Sequence, residues 1–183
     1  MTTFLDLFHY DEYTTYSLER TIIEYAGIDL NDALEKSHRN LTLVKRLLRS
    51  KADMAYHDYH TVRWAALEGC TDVVKYLIQE KADITASNNS AICTAASSGH
   101  EETVEVLLKA KANIHARNDC ALRWGSFYGH IGVVKLLLKY KADLTVNNYE
   151  AITWAEEQHQ FEMVALLLQE KEYILAEKNI WHW

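Results

Sequence analysis

The chain has 183 residues, 49% of them apolar, and a formal net charge of −7. That length builds one folded core, and the negative balance argues against a general nucleic-acid binder. No apolar run approaches the length that spans a bilayer, and residues 1–9 carry neither a basic lead nor a long apolar stretch. Neither a membrane span nor a cleaved secretory signal is therefore expected.

Residues 3–10 and a helical stretch at 17–26, stopped at Gly27, read as an N-terminal helical cap over residues 1–28. Residues 29–50 read as a degenerate first repeat. It has a short helix from Asn31 to Lys36, then an apolar stripe of Leu43, Val44, Leu47 and Leu48. Charge is uneven across this boundary. Residues 1–35 hold eight acids and one base, Arg20, whereas residues 36–51 hold six bases and no acid. Such a basic run reads first as a solvated outer helix face, with an acidic partner as the sharper alternative.

Residues 51–170 repeat one thirty-residue unit four times, starting at Lys51, Lys81, Lys111 and Lys141. A fixed period of this size marks a solenoid, whose units bury their apolar faces only against one another. In the third block, Asn118 precedes a two-turn helix over 121–128, Gly129 ends it, and a second helix runs over about 131–139. Asp58, Asn88, Asn118 and Asn148 share one position and read as N-caps. Gly69, Gly99 and Gly129 supply a left-handed stop, with His159 in that place in the last block. The second helix carries Val73, Val74 and Leu77, or Val133, Val134 and Leu137, on one face. Burying each is worth roughly 1.5–3 kcal/mol. Residues 171–183 read as a partial repeat and C-terminal cap, with Trp181 and Trp183 folding back on the last block.

The order of loop, short helix, Gly turn and longer helix resembles the ankyrin repeat. The match is carried by Gly69-Cys70, Gly99-His100, Gly129-His130, the Val-Val-Lys-x-Leu-Leu stripe and Ala82-Asp-Ile-x-Ala86. The resemblance implies an all-α solenoid of stacked helix–turn–helix repeats and a protein-binding role. The unit departs from the usual ankyrin repeat in being three residues shorter, in lacking proline, and in placing Lys where Gly usually precedes Ala-Asp. With Ala121-Leu-Arg-Trp124 it is similar to repeats of amoeba-infecting giant viruses and some intracellular bacteria, which would make the partner a host protein and the location the host cytoplasm.

In that family the concave side is formed by loop tips and exposed ends of the short helices. By resemblance, Tyr59, Leu67, Phe127, Tyr128 and Tyr149 are the partner-binding candidates, with Arg117 and Arg123 as polar anchors. Trp64, Trp124 and Trp154 share one position and read as packing between repeats, with a ligand box as the alternative; Thr94 breaks the row and leaves room for a dimple beside Cys93. His100 and His130, by resemblance, bond around the turn between helices. Cys70, Cys93 and Cys120 fall at different places in the repeat and read as free thiols of a reducing cytoplasm. His57 and His60 do not make a metal site by themselves. No phosphate-binding Gly loop or zinc-protease motif is present, so no cofactor, metal or catalytic residue is assigned. The expectation is a non-catalytic module, monomeric or weakly self-associating, that binds a protein partner and neither nucleic acid nor membrane. Two alternatives stand beside it: self-assembly through the terminal repeat, and a cysteine/histidine enzyme or ligand binder.

Overall fold

The computed structural model describes residues 29–180, with side chains through residue 176; the expected N-terminal cap and the indoles at 181 and 183 lie outside them. Among the described residues there are helices and no strand. In chain order they are α1 (Leu30–Lys36), α2 (Leu41–Arg49), α3 (Tyr56–Leu67), α4 (Thr71–Gln79), α5 (Ala86–Ser97), α6 (Glu101–Lys109), α7 (Ala116–Phe127), α8 (Ile131–Lys139), α9 (Val146–Glu157) and α10 (Phe161–Ile180). This is the all-α solenoid expected from the repeat.

Odd-numbered helices form an inner row and even-numbered helices an outer row. Inner helices pack more intimately on one another than outer helices do, which places the inner row inside the curve of the stack. Their small residues permit this. Ala65, Ala66, Ala95, Ala96, Ser126 and Ala155 are fully buried. A Cβ on Gly125 would already lie 3.4 Å from a Val134 methyl. The outer helices contribute their Val-Val-x-x-Leu face to one continuous core.

Both helices of a repeat end in the same device. Lys51, Lys81, Lys111 and Lys141 all have φ between 65° and 70°. Around Lys111 the Ala112 N–H donates to the Leu107 carbonyl at 3.0 Å, and the Lys111 N–H donates to Leu108 at 2.9 Å. That is the paired bonding of a Schellman cap. The inner helices close the same way at Gly69, Gly99 and Gly129, and at His159 with φ 55°.

The shared Asp or Asn does not cap the inner helix. Asp58, Asn88, Asn118 and Asn148 are the middle residues of three consecutive left-handed positions, and none bonds the helix start. Asp and Asn are placed there because they tolerate that backbone better than other side chains. The turn swings the next residue inward. Buried Asn89 accepts from the Asn113 N–H at 2.9 Å, and buried Asp119 accepts from Asp143 N–H at 2.8 Å, so each loop holds the loop of the following block. Asp83, Asn113 and Asp143 in turn accept from the N–H two residues on, which fixes the Ala-Asp corner.

His100 and His130 act as the resemblance implies. Their Nε2 atoms bond the carbonyls of Leu67 and Ser97 at 2.9 and 3.0 Å. Each ring covers the turn glycine of the block before. A Cβ on Gly99 would sit 2.6 Å from the His130 ring, so this position needs glycine for space as well as for its φ of 78°.

Two expectations are corrected. Cys93 and Cys120 are joined as a disulfide across α5 and α7, leaving only Cys70 free. Their three-residue offset within the repeat is about one helical turn. The packing of α5 on α7 brings the Cα atoms to 5.7 Å, inside the disulfide range. Residues 171–180 open no further repeat, because α10 runs unbroken from Phe161 to Ile180 and Lys171 lies mid-helix.

A non-Gly left-handed residue costs about 1–2 kcal/mol, and glycine's extra unfolded freedom returns roughly half of that. Lys111→Gly is therefore expected to stabilise the fold by about 0.5–1 kcal/mol in urea unfolding. Gly99→Ala, which adds both strain and overlap with the His130 ring, is expected to cost at least about 2 kcal/mol in the same measurement.

Candidate functional site

The exposed side of the inner row carries an aromatic shelf in the last two blocks. Trp124 lies 5.1 Å from Trp154 across the repeat boundary, 5.5 Å from Phe127 and 5.9 Å from Tyr128 between ring centroids. Phe127 meets Tyr128 edge-on at 4.9 Å and Trp154 at 6.0 Å. Helical spacing of three and four residues puts Trp124, Phe127 and Tyr128 on one face. The next inner helix, one packing distance away, brings in Trp154. Trp124 is 37% exposed and Tyr128 50%, while Phe127 and Trp154 are half-buried.

The tryptophan row thus packs between repeats, as expected, without being core. Trp64 and Trp124 are both exposed. Thr94, the gap in the row, turns its hydroxyl back onto the carbonyls of Ser90 and Ala91 at 3.0 Å. Trp124 and Trp154 therefore belong with Phe127 and Tyr128. Trp124 stands three and four residues before Phe127 and Tyr128, and that spacing is the signal in the sequence for a shared face.

The other candidates separate. Arg123 is committed inside the molecule. It donates to the carbonyls of Asn118 and Arg117 at 2.9 and 3.0 Å, pairs with Glu150 across the repeat boundary, and lies 5.0 Å over the Trp154 ring. Asn147, then Arg123, hold the Glu150 carboxyl below its ordinary range. Arg123 is therefore a positioning residue beneath the shelf, while Arg117 leaves its side chain exposed. Tyr149 packs on the core and carries Lys171 Nζ 4.3 Å above its ring. Tyr59 also packs on the core, and Leu67 is half-buried with its carbonyl bonded to His100. Both lie in the first block, remote in sequence from the shelf.

Residues 30–118 match the family described as ankyrin repeats, in three copies. The chain carries ankyrin repeats. The blocks beyond residue 118 repeat the same turns and helix pair, so the ankyrin stack continues through α10. Ankyrin repeats are generally protein–protein interaction modules, and ankyrin proteins are typically non-enzymatic scaffolds. A comparison with curated proteins gave no match. No helix among the described residues is long and apolar enough to cross a membrane.

Much of the basic run is engaged with its own chain. Lys36 pairs with Asp32, Arg39 with Glu68, and Lys45 lies 5.2 Å over the Tyr76 ring. At the same end of the stack, Glu35 sits between two histidines, 2.9 Å from His57 Nδ1 and 3.2 Å from His60 Nδ1. The His60 contact is too poorly aligned for a hydrogen bond, so that buried nitrogen lacks one. Nε2 of His60 accepts from the Trp64 indole N–H. His115 binds Asp119 at 3.1 Å and does not pair with Cys120.

Burial pushes the His60 pKa down; Glu35 opposes this, and Arg63, His38 and His57 add to it. A histidine with a lowered folded pKa contributes stability above its unfolded value, near pH 6.5, and loses it as pH falls. Protonation would also end the bond from Trp64. Urea unfolding at pH 7.5 and 5.5 is expected to show an acid loss of stability that is smaller in His60→Gln than in the wild type.

Proposed function

We propose that this ankyrin stack is a non-catalytic module that binds a partner protein on its concave inner face, centred on Trp124, Phe127, Tyr128 and Trp154. The aromatic shelf carries this reading. Large, stiff, partly exposed aromatic side chains on a rigid stack lose little entropy when covered, and aromatic residues dominate interface hot spots. The internal commitments of Arg123 support it, because they hold Trp154 in place before any partner arrives.

The chemistry favours binding over catalysis. Burial pushes the Cys70 thiol up, with Glu68 adding to the effect, which is opposite to what an activated nucleophile needs. The partner is an intracellular protein, and by the resemblance of the short repeat to those of giant viruses and intracellular bacteria it belongs to a host cell.

The test is capture from a eukaryotic lysate followed by titration of the purified captured protein. Phe127→Ala/Tyr128→Ala, shown to be folded by circular dichroism, is expected to weaken binding at least about tenfold. Equal affinity in wild type and variant would remove the shelf from the interface.

A further inference from the structure

α10 carries an apolar seam that no other described residue covers. α10 spans 20 residues, whereas the outer helices before it span nine. Met163 and Leu167 turn into the stack and are buried. Phe161, Leu168 and Leu175, spaced seven residues apart, form a second stripe that is 78%, 41% and 43% exposed. Thirty residues earlier, Ile131 and Leu138 are half-buried because a following block lies over them. The inner helix α9 turns polar side chains outward, with Glu156, Glu157 and Gln158 exposed where block three has Ser126, Phe127 and Tyr128, whereas α10 stays apolar on its outer stripe. The uncovered surface is therefore one helix wide and extends the repeat-to-repeat interface.

Residues seven apart drift by only about 20° around a helix, so these three form one apolar line along which a second helix can lie. On the helical wheel, Lys171 falls on one flank of the Phe161–Leu168–Leu175 stripe and Glu172 on the other. Neither has an oppositely charged partner among the described residues; Lys171 lies only over the Tyr149 ring. A two-fold axis parallel to the helix exchanges the flanks. It sets Lys171 against the other copy's Glu172 twice, and small Ala165 against Val164, while each seam residue meets its own counterpart. An antiparallel arrangement brings like flanks together and forms neither ion pair. The stripe is thus complementary to itself in one orientation, the requirement for an isologous contact.

We infer that α10 is a self-association surface, on which a second copy of this chain packs its own α10 in parallel, pairing Phe161, Leu168 and Leu175 along the seam and Lys171 with Glu172 across it. This contact leaves the aromatic shelf free, and it stands whether or not the shelf binds a partner.

Sedimentation equilibrium of the full chain tests it. The wild-type mass is expected to rise with concentration from 21.2 kDa toward twice that value. Leu168→Glu, at an exposed position that tolerates the change, is expected to raise the dissociation constant at least about tenfold. Lys171→Glu and Glu172→Lys each oppose like charges and weaken association, and the double exchange restores it. Phe127→Ala/Tyr128→Ala leaves the mass unchanged. A wild-type chain that stays at 21.2 kDa, a dimer indifferent to Leu168→Glu, or a double exchange that fails to rescue overturns the inference.

Discussion

Two of the five left-handed residues in every thirty set the shape of this protein. One reverses the chain after the inner helix and the other after the outer helix, and both use the same pair of backbone bonds. With both reversals tight, the helices of a repeat lie antiparallel with little chain between them. The inner row can then close to the distance that Ala65, Ala95 and Gly125 allow. Each repeat exposes apolar surface on both sides, so the stack exists only as a set of neighbours. The left-handed turns that open the inner helices add buried polar links between successive loops, through Asn89 and Asp119.

Most of the fold was legible in the amino-acid sequence because its signals are repeated. The Val-Val-x-x-Leu stripe, the turn glycines and the alanine pairs each recur at one period, and the helices fall where that period put them. What was not legible concerns conformations that several residue types share. Asp or Asn before a helix signals an N-cap, and the same residues are also the best non-glycine occupants of a left-handed turn. Local spacing cannot separate the two; the left-handed backbone of the shared residue and its two neighbours does. The disulfide was missed for a related reason. Cys93 and Cys120 occupy different places in the unit, and only the packing of neighbouring inner helices brings them together.

The surface shows the same division. Repeat position separated interior from exterior for the apolar helix faces, but not for side chains large enough to be both. Trp124 and Trp154 bridge two repeats and remain partly exposed. Arg123 was expected at a partner's surface, and its own loop and Glu150 use its donors instead. Tyr149 is similarly engaged by Lys171. Charged and aromatic residues on a repeat are drawn first to the adjacent repeat, and what remains for a partner is the part of each ring that the adjacent repeat leaves uncovered.

The histidine rings give the stack a direction. Each ring belongs to one block, and the glycine and carbonyl it covers belong to the block before. Opening the stack from its C-terminal side lifts a ring away and leaves a solvated glycine turn, whose carbonyl water can satisfy. Opening it from the N-terminal side removes the glycine turn and its carbonyl, and leaves the imidazole on the new end in water. The two ends of the solenoid therefore fray by different routes, and a chain growing from its N-terminus completes each turn only when the following block has been made.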